Sequence, residues 1–257
     1  MDNVNKTLYI PLYGKSCVSK RRIILHDEKA EQIWTAEGFP LKGKSKSKWL
    51  AYYMGMRSAV FDRWLAPKME ENPEAAVLHI GCGMDSRIIR VGERGHQWFD
   101  VDFPEVINQR RKYFEETDNY KMISGDLRET DWLEQLPKGK AIVVLEGISM
   151  YLQPEELKAA FENLYAHFEN VHILMDCYTV FAAKASKYKN PINDVGVTEV
   201  FGMDDPNVLP GFLREHEMTP QDMIDQLQGM EKRIFASLYA GGVAKKMYRL
   251  YEYRGGK

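Results

Sequence analysis

Nowhere does the 257-residue chain hold an apolar run near the roughly 18 residues that a membrane-spanning helix needs. The opening stretch, MDNVNKTLYIPLYG, also lacks the apolar core of a signal peptide. Cysteine is scarce: Cys17, Cys82 and Cys177 are odd in number, widely spaced and without a CxxC pair. A disulfide framework and a zinc site are both excluded on that spacing, and cytosolic residence is expected. The six histidines form no HExxH or HxxxH pattern, so no metal is expected. There is no excess of one charge. With 35 Lys and Arg against 37 Asp and Glu the net charge is −2, and the isoelectric point is near 6.3. Nucleic-acid binding through bulk positive charge is therefore not expected. Repeats and low-complexity segments are absent as well.

The charge is unevenly divided. Residues 1–60 carry 11 basic and 5 acidic residues, a net +6, and the remainder carries −8. The N-terminal quarter therefore reads as a separate piece, a helical cap over residues 1–72. Helices are expected over 18–37 and 47–71, the second from Trp49, Leu50, Tyr53, Val60, Phe61 and Trp64 at helical spacing. Between them lies the basic loop Lys42–Lys48. From residue 73 short apolar runs alternate with helical stretches. Strands are expected at Ala76–Ile80, Trp98–Val101, Tyr120–Ile123, Ala141–Leu145 and Val171–Met175, with helices at Pro104–Glu116 and Pro154–Phe168. This alternation implies a parallel, doubly wound sheet. Two later runs, Lys232–Tyr239 and Met247–Tyr253, are joined by a loop too short for a crossover helix, so an antiparallel hairpin is expected. Five parallel strands closed by such a hairpin is the element order of the Rossmann-like class I S-adenosylmethionine (SAM) methyltransferase fold. It implies a mostly parallel seven-stranded sheet, with residues 178–230 as an insertion on the substrate side.

The first strand runs into Ile80-Gly-Cys-Gly-Met-Asp-Ser-Arg87. Gly81, Cys82 and Gly83 suit a strand-to-helix turn where backbone must approach a ligand closely. Serine stands at position 86, where a dinucleotide fingerprint would place its third glycine, which counts against an NAD-dependent dehydrogenase. The second strand ends in Phe99-Asp-Val-Asp102. A carboxylate about 20 residues after the glycine turn suits ribose hydroxyls. Asp102, nearer the carboxyl edge, is expected in that role, with Asp100 a second ligand or the partner of Arg87. Asp126 and Leu127, after the third strand, suit an adenine ring, and Glu146 ends the fourth. All four acidic segments fall on the carboxyl edge of the sheet, where ligands of open α/β folds bind.

Taken together, Val77–Arg87, Phe99–Pro104, Gly125–Arg128 and Leu145–Leu152 resemble the leucine carboxyl methyltransferase family, which includes polyketide O-methyltransferases of the tetracenomycin type. The resemblance spans roughly residues 10–255 and extends to the loop Gly202–Pro206. It implies SAM as cofactor and S-adenosylhomocysteine (SAH) as product. It places the methionine part at the loop around Gly81, the ribose at Asp102, the adenine at Asp126 and Leu127, and Glu146 beside the methionine end. It also implies two basic residues from the N-terminal helices, Lys20 and Arg57, for the SAM carboxylate and the substrate, and a tyrosine near the substrate, Tyr151.

An O-methyltransferase acting on a small anionic acceptor is the expected activity, with a carboxylate favoured because it is already ionised at neutral pH and needs no base. Arg57 would orient it, with Tyr151 as second donor. A hydroxyl acceptor would call on a base, for which Asp176, Tyr178 and His216 are the candidates. A protein C-terminal carboxyl methyltransferase and a non-catalytic SAM-binding protein are the other readings that these residues allow. The oligomeric state is not legible in the sequence.

Overall fold

The computed structural model describes residues 7–189 and 199–257. Residues 1–6 of the expected cap, and 190–198 of the expected insertion, lie outside the described residues. Three helices come first: α1 (Tyr9–Lys20), α2 (Glu28–Glu37) and α3 (Lys48–Glu71). The alternating part follows as β1 (Ala76–Ile80), α4 (Arg87–Val91), β2 (Trp98–Asp102), α5 (Pro104–Arg110), β3 (Tyr120–Ser124), β4 (Lys140–Leu145), α6 (Pro154–His167) and β5 (Asn170–Tyr178). The chain ends with α7 (Val180–Lys189), β6 (Phe212–Glu215), α8 (Gln221–Ile224), α9 (Gly229–Leu238), α10 (Gly242–Lys245) and β7 (Tyr248–Gly255). No helix among the described residues is long and apolar enough to cross a membrane.

The seven strands form one sheet in the order β3-β2-β1-β4-β5-β7-β6. β1 to β5 are parallel, and β7 runs antiparallel between β5 and β6. Each residue of β1 is buried, as are Ala141–Leu145 of β4, because both faces of the central sheet are covered. One face packs under α1–α3 and the C-terminal helices, and the other under α6 and its neighbours. Helix α6 opens as its sequence dictates, with Pro154 in the first turn and the Gln153 amide donating to Glu156 Oε2 at 2.7 Å. The loop at Gly202 passes beside the end of β5 and bridges Tyr178.

The expected strand over Lys232–Tyr239 is instead helix α9. Its apolar residues recur at helical spacing: Phe235 is fully buried against Tyr52 and stacks on Tyr239 four residues on. The antiparallel partner of β7 is β6, whose four residues are mostly exposed and so carry no alternating pattern to read. The expected helix over 18–37 is two helices. Arg22 and Ile24 adopt positive φ, and the Asp27 side chain accepts from the Ala30 amide at 2.8 Å to cap α2. Helix α1 starts earlier, at Tyr9, because Pro11 falls in its first turn, where proline is tolerated.

Helices α1 and α3 cross at glycine. A Cβ on Gly14 would lie 2.7 Å from Met54 Cβ, and one on Gly55 would lie 2.8 Å from a Val18 methyl. The close crossing brings the polar faces of both helices over the carboxyl edge of the sheet. Gly14→Val should therefore lower stability by about 1–3 kcal/mol through overpacking against Met54 and the Ala51 carbonyl. Urea unfolding measures it, and a midpoint equal to that of the parent chain would refute the close crossing.

Candidate active site

The strand order reverses direction between β1 and β4, and a cleft of about 820 Å³ opens there, along the carboxyl edge. Its lining follows the sheet. Asp126 comes after β3, Asp102 at the end of β2, Gly81 after β1, Glu146 after β4, Tyr178 at the end of β5, and Tyr248 at the start of β7. Six strands at about 4.8 Å spacing give the edge a span of roughly 24 Å.

The glycine turn is sterically demanded. Gly81 has φ +68°, and a Cβ there would lie 2.2 Å from the Ile148 side chain; Gly83 has φ +50°. Asp102 turns back onto this loop. Its carboxylate accepts from the Gly83 amide at 2.7 Å and the Phe103 amide at 2.8 Å. Burial pushes its pKa up to about 6, against the pull of those two amides and of Arg110. Next along the edge, the Gly125 amide donates to the Asp102 carbonyl, which sets the Asp126–Leu127 loop beside it. Asp126 is held by the Arg128 guanidinium at 2.5 to 3.0 Å.

Asp100 does not reach the cleft and is not the partner of Arg87. It is fully buried, pairs with Arg110, and accepts from Tyr120 Oη at 2.6 Å and Trp98 Nε1 at 2.9 Å. Burial opposes its ionisation, but Arg110 holds its pKa down to about 2. Arg110 in turn donates to the carbonyls of Gly83 and Asp85, at 3.1 and 2.6 Å. Asp100 therefore anchors the group that braces the glycine turn from behind.

Beneath the middle of the cleft lies a buried network of charge. Arg57, on α3, donates from Nε to Glu146 at 2.9 Å and from Nη1 to Tyr248 Oη at 3.1 Å, with Asp176 Oδ2 at 3.3 Å. Tyr248 donates to the same Asp176 oxygen at 2.8 Å, and the Gly147 amide to the other at 2.7 Å. Arg87 pairs with Glu146 and, at 2.7 Å, with Asp62. Arg90 reaches Asp27, Asp62 and Asp85 at 2.6 to 2.7 Å, and Lys15 reaches Asp85 at 3.2 Å. Four cations thus meet five carboxylates drawn from α1, the α2 cap, α3, the glycine loop, α4, β5 and the end of β4. Burial works against Glu146, yet Arg57 and Arg87 hold its pKa down to about 2. Burial dominates at Asp176 and raises its pKa.

Of the two basic residues expected from the N-terminal helices, Arg57 lies on the cleft and Lys20 does not. Lys20 is exposed at the end of α1. Lys15, five residues earlier and so about 140° away around the helix, is buried and lines the cleft. Tyr151 also lines it, together with Tyr53, Tyr178, Tyr239 and Tyr248. The Tyr248 ring stands edge-on between Tyr53 and Tyr178, at 6.0 and 5.0 Å. Of the three candidate bases, only Tyr178 lines the cleft. Asp176 is buried beneath Arg57, and His216 lies outside the cleft, bound to Glu252 at 2.7 Å. Lys15, Asp85 and Tyr248 were missed by sequence reasoning. Asp85 sits two residues past Gly83 and was findable there; Lys15 was hidden by the early proline and glycine of α1.

The family model described as leucine carboxyl methyltransferase matches residues 10–165. The chain is 25% identical over 262 residues to the tetracenomycin polyketide synthesis O-methyltransferase TcmP of Streptomyces glaucescens, covering 98% of this chain and 97% of that protein. It is 26% identical to the S-adenosyl-L-methionine-dependent methyltransferase dpfgK of Gibberella zeae, covering 81% of this chain and 78% of that one. Among solved structures, the magnesium protoporphyrin IX methyltransferase of Synechocystis with bound SAH matches with a TM-score of 0.50 at 13% identity, covering 89% of this chain and 93% of that one. That last likeness establishes the shared fold.

The network makes its own prediction. Arg90→Leu strips Asp27, Asp62 and Asp85 of a shared cation and should cost about 3–5 kcal/mol, the range for breaking a buried pair. Urea unfolding of the ligand-free protein reads it, and a loss below about 1 kcal/mol would mean that the network does not hold the helices down.

Proposed function

The chain belongs to the leucine carboxyl methyltransferase family and is a SAM-dependent methyltransferase; from that premise we propose that it methylates the carboxylate of a small aromatic acceptor. The carrying observation is the state of the titratable groups that line the cleft. Asp85 is committed to Lys15 and Arg90, Asp126 to Arg128, and Glu146 to Arg57 and Arg87. Asp102 is held by two backbone amides. Burial and Arg87 push the His79 pKa down. Burial pushes Tyr53, Tyr151 and Tyr248 up, away from the phenolate. Among the lining groups just named, then, none is placed to take a proton from a hydroxyl acceptor, which leaves Tyr178 as the one candidate base on the cleft. A carboxylate is ionised already at neutral pH. Membership of a family of carboxyl methyltransferases supports the same reading, and the likeness to a polyketide O-methyltransferase of Streptomyces supports a small molecule over a protein.

The residues present fit the cofactor. The Gly81–Gly83 turn brings backbone to the wall of the cleft, and Asp102 keeps a fixed carboxylate beside it. Asp102 would accept the ribose hydroxyls, and Asp126 with Leu127 would take the adenine. Lys15, in the place expected of Lys20, would hold the methionine carboxylate with the glycine turn and Glu146 beside it. When bound, SAM supplies a methyl group on a sulfonium that leaves as a neutral thioether. Arg57 orients the acceptor carboxylate, its guanidinium fixed by Glu146 and Asp176 so that little freedom is lost on binding. Tyr151 is the second donor. The tyrosine walls present faces and edges to an aromatic acceptor and keep water from the reacting atoms.

Two outcomes test this reading. Ribose hydroxyls donating to Asp102 favour its ionised form, so SAH binding should release a proton and weaken as pH falls through about 6. Calorimetric titration should give affinity about tenfold lower at pH 5 than at pH 7 in the parent chain, and no such dependence in Asp102→Asn. An unchanged pH profile in the variant would move the ribose elsewhere. Second, label transferred from methyl-labelled SAM to extracted metabolites should be released as methanol by mild base, as from an ester. Base-stable label would overturn the carboxylate assignment, and label confined to protein would point to a protein C-terminus as acceptor.

A further inference from the structure

The loop after β3 holds a conflict. Asp126 is read above as the carboxylate that takes the adenine, yet its acceptor positions are filled by one residue of its own loop. Oδ1 accepts from the Arg128 amide and from Arg128 Nε, both at 3.0 Å. Oδ2 accepts from the same Nε at 3.0 Å and from Arg128 Nη2. An ionised carboxylate offers about four lone-pair sites, two on each oxygen, and here each oxygen already meets two N–H contacts. The exocyclic amino group of adenine approaches a carboxylate as a donor. It therefore has to replace one of the donors already there.

The Arg128 amide is not the one to leave, because the backbone of the loop is pinned. A Cβ on Gly125 would lie 2.7 Å from Trp132 Cγ, so the chain lies directly against the indole. The Gly125 amide donates to the Asp102 carbonyl at 2.9 Å, and the Glu129 amide to the Asp126 carbonyl at 2.9 Å. Trp132 Nε1 donates to the Glu129 carbonyl at 3.0 Å. The Arg128 amide thus aims the Asp126 side chain without help from the guanidinium. The guanidinium is the replaceable partner. Its side chain is 45% exposed, and that of Asp126 23%, so the pair is weak and water can take its place. The charges of Glu156 and Glu129 also act on Arg128, so a displaced guanidinium still has carboxylates within reach. Both Asp126 and Arg128 line the cleft.

We propose that Arg128 is a specificity-determining residue of the cofactor site: its guanidinium competes with the adenine amino group for Asp126, and binding exchanges one for the other. This rests on the reading of Asp126 as the adenine carboxylate. A purine with a carbonyl oxygen in place of the amino group needs no such exchange, because the guanidinium can donate to that oxygen. Arg128 therefore weakens binding of the amino ring, supports the carbonyl ring, and sets how sharply the site tells the two apart.

Calorimetric titration with SAH and with S-inosylhomocysteine, which carries that carbonyl oxygen, tests the exchange apart from turnover. Arg128→Leu, at an exposed position, should bind SAH about two- to fivefold tighter than the parent chain, the range for an exposed ion pair that no longer has to be broken. The same variant should bind S-inosylhomocysteine more weakly than the parent. A residue that only supported the loop would move both ligands in the same direction. Asp126→Asn separates the two levels of the reading and should weaken SAH at least about fivefold. Full SAH affinity in Asp126→Asn would take the adenine away from this carboxylate, and the proposal with it. If Asp126→Asn does weaken SAH, an Arg128→Leu protein that binds SAH no tighter than the parent, or that shifts both ligands together, would overturn the competition alone.

Discussion

The Arg57 guanidinium, 6% exposed, is clasped between Glu146 and Asp176, and the carboxyl edge of the sheet is built around keeping it paired. A charge taken out of water costs several kcal/mol unless partners and hydrogen bonds are supplied in full. The two partners of each ion pair in this network come from different elements. Helix α3 brings Arg57 and Asp62, α1 brings Lys15, the α2 cap brings Asp27, and α4 brings Arg87 and Arg90. Lifting any one helix would leave ions buried without partners. The N-terminal helices are therefore bound to the sheet by electrostatics at the site itself, while the glycine crossing of α1 and α3 sets how closely they approach.

The same constraint divides the cleft. Over β3, β2 and β1 the polar groups are held by backbone: Asp102 by two amides, and the glycine turn by Arg110 through its carbonyls. This half is shaped by main chain, which suits a ligand recognised by hydroxyls and by close approach. Over β4, β5 and β7 the groups are side chains, with tyrosines ranged around one fixed guanidinium. That half is where residues can be exchanged without disturbing the turn, and where acceptor preference can diverge among relatives sharing about a quarter of their residues.

The uneven charge of the chain is resolved in the same way. Of the described basic residues in the first 60, Lys15 and Arg57 are buried in the network, and the others are exposed or half-buried. Arg21 and Lys48 converge at 2.9 Å on Glu231 of α9, which clamps the C-terminal helices against the cap. Lys44, exposed on the short turn Gly43–Lys46, reaches the mouth of the cleft.

What the sequence by itself determined was whatever is encoded locally. Five strands, the helix opening at Pro154, the glycine turn and the carboxylate after β2 were all legible, because periodicity, proline and glycine act on neighbouring residues. The choice among chemically similar residues was not. Lys15 rather than Lys20 faces the cleft because of the phase of a helix whose start is masked by proline. Asp100 rather than Asp102 is the structural carboxylate because Arg110 and Tyr120 fold over it. Helix α9 stands where a strand was expected, and the strand beside β7 is β6, inside the expected insertion, because an edge strand with exposed side chains has no pattern, while a buried phenylalanine stack favours helix. Arg57 and Glu146 stand 89 residues apart. No local pattern can specify such a pair; only the packing of the helical layer on the carboxyl edge of the sheet brings it together and makes it necessary.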